Sequence, residues 1–119
     1  MDKLTKKEEE LMNMFWERGA LFVRDIVEQY PDPKPHVNTI STMVRTLEAK
    51  GYVGHKAYGS TFQYFALVTK DKFSTSTLKD VVGKYFSNSY KSAVSALISD
   101  EEISIDELKE LISQIEKQS

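Results

Sequence analysis

All three prolines of this 119-residue chain fall within five positions, Pro31-Asp32-Pro33-Lys34-Pro35. Proline has no amide donor and restricts the residue before it, so this stretch cannot lie inside a helix or a central strand. It must be a rigid connector. On both sides the apolar residues recur at helical spacing. Upstream, Val23, Ile26, Val27 and Tyr30 share one face of a helix spanning Val23 to Tyr30. Downstream, Val37, Ile40, Met43, Val44 and Leu47 mark another helix that runs to about Lys50. Pro35 is acceptable near the start of that helix, where its missing donor would be unsatisfied anyway. Gly51 ends it.

A further helix precedes this pair. Thr5-Lys6-Lys7-Glu8 has the spacing of a capping box, a hydroxyl at N-cap and a carboxylate three residues on. Leu11, Met12, Met14, Phe15 and Trp16 come next as a broad apolar face, and Gly19 stops the helix. Leu21 and Phe22 read as short and extended. After Gly51, two strand-like runs, Tyr52 to Ala57 and Phe62 to Leu67, flank Tyr58-Gly59-Ser60-Thr61. Gly59 can supply the positive φ of a tight turn, so the pair reads as a β-hairpin packed on helices. Three helices and a hairpin in this order make a winged helix-turn-helix.

From Lys70 the strand pattern ends and helical stripes return. Leu78, Val81, Val82, Tyr85 and Phe86 form the first, and Val94, Leu97 and Ile98 the second, after Ser87-Asn88-Ser89. A capping box, Ser104 to Glu107, opens a last helix bearing Leu108, Leu111, Ile112 and Ile115. Short helices with so many apolar side chains cannot bury them alone, and large exposed apolar patches are rare on monomers. A second copy of the chain is expected to cover them. The chain is therefore mainly α with a small β-hairpin: a winged helix-turn-helix domain over residues 1–70, then a helical dimerisation domain over 71–119.

Composition narrows the function. The chain has no cysteine. Thiol-ligated metal sites, disulfides and Cys–His nucleophile pairs are excluded. The two histidines, His36 and His55, lack the spacing of a ligand set, and there is no glycine-rich phosphate loop. No catalytic residue, metal or cofactor is expected. Glu8-Glu9-Glu10 and Asp100-Glu101-Glu102 suit solvated helix starts, where acidic groups complement the dipole. The start MDKLTKKEEE is no signal peptide and no apolar run is long enough for a membrane span, so a cytoplasmic protein without membrane insertion is expected.

The net charge is −2, low for a nucleic-acid binder, but its distribution matters more. Over residues 1–70 there are ten Lys/Arg against nine Asp/Glu; over residues 71–119 there are six against nine. Between Lys34 and Phe62 four cations face Glu48 alone. The helix after the prolines carries the most informative face. Asn38, Thr39, Ser41, Thr42, Arg45 and Thr46 line it, where stability alone would favour Glu, Lys and Ala. Asn can pair with adenine, Arg with guanine, and a Thr methyl can touch thymine's methyl. His36 precedes this face. The hairpin then acts as a wing on the DNA backbone, with His55, Lys56, Tyr58, Ser60 and Thr61 near its tip. The alternative is a winged-helix protein-interaction module that does not bind DNA, favoured by the near-neutral charge of the first domain; salt-dependent binding to random duplex discriminates the two.

The run from Thr39 to Val53, then Phe62-Gln63-Tyr64, resembles the penicillinase-repressor (BlaI/MecI-type) family. The segment Glu8 to Trp16 agrees, as do Lys91-Ser92-Ala93-Val94, Asp100 to Ile103, and Glu107 to Leu111. The resemblance implies a homodimeric repressor with a winged-helix domain, a helical dimerisation domain and a palindromic operator. It implies genes for β-lactam resistance as targets. It also implies relief by a membrane-bound metallopeptidase sensor whose signal leads to cleavage in the dimerisation domain. The family's scissile position aligns with Ala96-Leu97. Copper-responsive members carry C-terminal cysteines, so copper sensing is excluded here. Two positions depart from the family: Thr46 stands where a basic residue is usual, and Phe22 where a Ser or Thr caps the second helix.

Overall fold

The computed structural model describes residues 1–118. The chain divides into two compact units, Met1–Ser76 and a second that begins at Thr77. In the first, α1 (Lys6–Arg18), α2 (Val23–Glu28) and α3 (Val37–Ala49) pack with β1 (Leu21–Phe22), β2 (Val53–Tyr58) and β3 (Thr61–Ala66). The hairpin is present, with Val53 opposite Ala66 and Tyr58 opposite Thr61. A third strand joins it: β1 pairs antiparallel with β3, Leu21 opposite Tyr64 and Phe22 opposite Gln63, giving the order β1-β3-β2.

The local signals act as the residue types dictate. Glu8 N–H donates to Thr5 Oγ1 at 3.2 Å and Thr5 N–H donates to Glu8 Oε1 at 2.8 Å, the reciprocal capping box that opens α1. Gly19, at φ 82°, closes α1 with its N–H donating to Phe15 O at 2.8 Å. Phe22 offers no side-chain cap to α2; instead Asp25 reaches back and accepts from Phe22 N–H at 3.1 Å. The proline connector is tied down by Lys34, whose ammonium donates to Glu28 O and Tyr30 O, both at 2.9 Å. A cation on the last carbonyls of a helix satisfies acceptors that have no partner within it.

Leu11, Met12 and Phe15 of α1, Ile26 and Val27 of α2, and Ile40, Val44 and Leu47 of α3 meet in one buried cluster with Leu21, Tyr52, Val53 and Tyr64. Its edge extends into α4 (Lys70–Tyr85). Trp16 Nε1 donates to Val68 O at 2.8 Å, and the Phe73 ring packs tilted against Trp16 at 5.5 Å and edge-on against Tyr52 at 6.1 Å. The first turn of α4 thus belongs with the first unit, and the compact unit runs past the expected end at residue 70. Glu8 is the one buried charged side chain among the described residues, and its carboxylate pairs with Lys50 Nζ at 2.8 Å, joining the start of α1 to the end of α3.

The second unit holds the rest of α4, α5 (Tyr90–Ser99) and α6 (Ile105–Gln118). Ser87 and Asn88 adopt φ of 50° and 63° to turn the chain after α4, and Ser89 caps α5 by accepting from Ser92 N–H at 3.1 Å. The second capping box forms as expected: Glu107 N–H donates to Ser104 Oγ at 3.0 Å, and Ser104 N–H to Glu107 Oε1 at 3.3 Å. The apolar stripes are uncovered. Leu78 is 61% exposed, Tyr85 68% and Leu111 51%. Val81, Val94, Leu97, Ile112 and Ile115 are also exposed, while Phe86, Ile98 and Leu108 are half-buried. Val82 departs from the expectation for a dimer contact. It is only 2% exposed, already covered within the single chain close to the turn at Ser87 and Asn88. No helix among the described residues is long and apolar enough to cross a membrane.

Candidate nucleic-acid interface

Helix α3 buries Ile40, Val44 and Leu47 and turns the intervening positions outward. Asn38, Thr39, Thr42, Arg45 and Thr46 are exposed, and Ser41 is half-buried. The helix starts at His36, whose Nδ1 accepts from Asn38 N–H at 3.0 Å. His36 is therefore the N-cap of α3, held as an acceptor.

The polar side chains of this face are braced on their own helix. Thr42 Oγ1 donates to Asn38 O at 2.9 Å, Thr46 Oγ1 to Thr42 O at 3.0 Å, and Arg45 Nε to Ser41 O at 3.1 Å. Each threonine hydroxyl thereby uses its single proton internally. What Thr42 and Thr46 retain for a partner is an acceptor lone pair and a methyl group. Arg45 keeps its two terminal nitrogens, the paired donors that a guanine edge or a phosphate requires.

The hairpin stands beside α3. Its turn is closed by Gly59 at φ 60° and by Thr61 Oγ1, which donates to Tyr58 O at 3.0 Å. Lys56 and Tyr58 share one face, with the ammonium 5.4 Å from the Tyr58 ring centre. Tyr58 also meets Phe22 edge-on at 5.8 Å. Ser60 sits exposed at the tip.

His55 does not lie near the tip. It pairs with Tyr64, three residues inside the strand, and alternation places it on the same face as buried Val53. Its Nδ1 lies 2.5 Å from Glu48 Oε2 of α3, and its ring packs on Phe62 at 4.4 Å and Tyr64 at 5.6 Å. Burial raises the pKa of the Tyr64 phenol; the Glu48 carboxylate pushes the same way and Arg45 opposes it. The phenol stays protonated at neutral pH.

Between α2, α3 and β3 lies a groove of about 660 Å³. Phe22, Val23, Val37, Phe62 and Tyr64 supply apolar wall, while Arg24, Asp25, Ser41, Arg45 and Thr61 supply the polar part. Arg24 and Glu48 lie outside the set of residues expected from sequence. Arg24 reaches the groove because β1 pairs with β3 and brings the start of α2 beside the wing. The two extended residues Leu21 and Phe22 are the only local sign of that pairing. Among the described residues, no three His, Asp or Glu side chains stand together as a metal site.

The arrangement resembles proteins already known. The family described as Penicillinase repressor matches residues 4–117. The methicillin resistance regulatory protein MecI of Staphylococcus aureus strain N315 is 28% identical over 116 residues, covering 97% of this chain and 94% of the relative. MecI of Mammaliicoccus sciuri is 28% identical over 118 residues, with the same coverage. The solution structure of the DNA-binding domain of the repressor BlaI superposes with a TM-score of 0.51 at 22% identity, covering 60% of this chain and 93% of that domain, so the winged-helix fold is shared. The match spans almost the whole chain, and this protein belongs to the penicillinase repressor family.

Proposed function

We propose that this protein is a transcriptional repressor that binds a palindromic duplex-DNA operator as a homodimer. The observation that carries the reading is the outer face of α3. Its threonines and Arg45 are braced on the helix itself, its core face is fully engaged, and the hairpin and groove flank it. A helix so displayed fits the major groove, with Thr42 and Thr46 offering methyls and Arg45 a donor pair to base edges. The groove suits the sugar-phosphate backbone: apolar wall against deoxyribose, Arg24 and Thr61 toward phosphate oxygens. Lys56 and Tyr58 extend that contact along the wing.

The exposed stripes of the second unit make the dimer in this reading. Two half-site contacts then act together, each raising the effective concentration of the other. This offsets the small number of cations per protomer. A two-fold pair sets the reading helices about 34–36 Å apart, or a multiple of it. The known relatives' role in methicillin resistance supports a β-lactam-response operon in the cytoplasm. Relief by cleavage at Ala96-Leu97 fits the exposure of both residues, but they lie inside α5. Cutting there requires α5 to open locally first.

The test is a mobility-shift titration on the operator and on random duplex. Arg45→Ala should weaken operator binding by about 1–3 kcal/mol. Lys56→Ala should weaken both equally and lower the salt slope by about one unit. Unchanged affinity in both variants rejects the interface.

A further inference from the structure

The groove beside α3 has a graded lining. Its rim stands in solvent: Arg24 and Thr61 are exposed, and Val37 and Phe62 are 48% and 45% exposed. Tyr64 is only 5% exposed and forms the floor. Its hydroxyl makes no hydrogen bond to any described residue. Among the described residues, no side-chain oxygen or nitrogen sealed from solvent lacks a partner. The hydroxyl is therefore open to solvent, and the groove is the opening that its side chain lines. A buried phenol normally finds a partner; this one offers its proton into the groove. Duplex DNA is a broad convex body and touches the rim, whereas a small molecule can reach the floor. A volume of about 660 Å³ falls within the range of small-molecule sites, about 300–1,000 Å³.

The lining also selects by charge. Arg24 and Arg45 are its cations and Asp25 its one carboxylate. Asp25 Oδ2 already accepts from Phe22 N–H at 3.1 Å. Arg45 commits Nε to Ser41 O, and neither arginine stands in an ion pair among the described residues. Glu48 acts on Tyr64 through its charge, but its carboxylate is turned to His55 Nδ1 at 2.5 Å and lies outside the lining. Phe22 and Phe62 add aromatic wall beside Tyr64. An inorganic anion would leave those rings unused. An uncharged aromatic would strip water from the arginines without replacing it.

We propose that this groove binds a small aromatic carboxylate, its ring against Phe22 and Phe62 and its oxygens accepting from the Tyr64 hydroxyl and the arginines, and that an occupied groove cannot hold the DNA backbone. The site gives the repressor an effector that releases DNA without cutting the chain. The competition rests on the DNA-binding reading above; the binding of the carboxylate does not.

The experiment follows the backbone amide signals of the full chain by NMR as naphthoate is added at constant ionic strength, with naphthamide as the uncharged counterpart. Naphthoate should move the amides of Asp25, Ser41 and Tyr64 and leave those of α5 and α6 in place. Naphthamide should bind about tenfold more weakly, the loss expected when hydrogen bonds to a charged group are removed. Tyr64→Phe should weaken naphthoate binding several-fold, and Arg24→Gln should narrow its lead over naphthamide; circular dichroism should show both variants folded. In a fluorescence-anisotropy assay, naphthoate should displace a labelled random-sequence duplex from the unaltered protein, and naphthamide at the same concentration should not. Shifts that are absent from the groove, equal for the two compounds, or spread over the exposed stripes of the second unit overturn the site while leaving DNA binding intact. Groove binding without displacement of the duplex overturns the effector role. No duplex binding at all overturns the DNA-binding reading and the effector role with it, and the NMR titration still decides the site.

Discussion

The unit Met1–Ser76 gathers twelve buried hydrophobic side chains into one cluster, whereas among the described residues from Thr77 onward only Val82 is buried. Both regions are built from capped amphipathic helices. Helix α1 and helix α6 each open with a hydroxyl–carboxylate capping box and carry a stripe at helical spacing. Leu11, Met12 and Phe15 are buried, while Leu111 and Ile112 are about half exposed. The difference lies in the chain available to cover each stripe. After α1 come a strand, two helices and a hairpin that close over its stripe. The chain after α4 supplies two short helices, too little to cover three stripes. An apolar stripe states that a face wants cover, and it leaves open which element or which molecule provides it.

The sharpest way to break this contrast is to place charge on the uncovered face. Leu97→Asp together with Ile112→Asp should convert a sedimenting dimer to a monomer, since each uncompensated buried charge costs about 3–5 kcal/mol. The unfolding midpoint of the unaltered protein should rise with protein concentration, and that of the double variant should not. A monomeric unaltered protein at micromolar concentration removes the second copy from the scheme.

Truncation of a core side chain in the first unit should act without any concentration dependence. Phe15→Ala should cost about 3–5 kcal/mol in urea denaturation of that unit, because the cavity is enclosed on every side. The exposed counterpart Leu111→Ala should cost much less in dilute, monomeric protein. Similar costs for both would mean that the second unit has a core of its own.

A smaller effect separates the two capping boxes. Glu8 is buried and paired with Lys50, whereas Glu107 is exposed. Burial alone would raise the pKa of the Glu8 carboxyl, but Lys50 and hydrogen bonding by Thr5, whose backbone N–H donates to it, outweigh burial and hold it below the usual carboxylate value. A depressed folded value contributes stability above the ordinary carboxylate range, and that stability is lost as pH falls through the folded value. Glu8→Gln should cost about 1–3 kcal/mol at neutral pH and flatten the acid limb of the stability curve. Glu107→Gln should change stability by a few tenths of a kcal/mol. Parallel acid limbs for the unaltered protein and Glu8→Gln would place the stabilisation elsewhere.

Much of this molecule is legible in short-range chemistry. A hydroxyl three residues before a carboxylate, three prolines in five positions, and glycines at Gly19, Gly51 and Gly59 place the helix starts, the connector and the turns. Each depends on hydrogen bonds or φ angles within a few residues, so the order of elements needs no knowledge of distant partners. The outward face of α3 comes from periodicity alone, and its Ser/Thr content already points to a partner other than solvent. The winged-helix assignment rests on that order.

What tertiary structure decided is who meets whom across the chain. Two residues, Leu21 and Phe22, carry too little pattern to announce a strand; their pairing with Tyr64 and Gln63 makes them one and brings Arg24 into the groove. Strand alternation allowed His55 either face, and only the register against β3 sends it to Glu48 rather than to the turn. Phe73 joins the first unit because Trp16 and Tyr52 lie within reach, and Val82 is covered while its neighbour Val81 is not. Capping and helical spacing are local, set by hydrogen bonds that span three or four residues. Burial and ion pairing depend on contacts between segments tens of residues apart, and those exist only once the chain has packed.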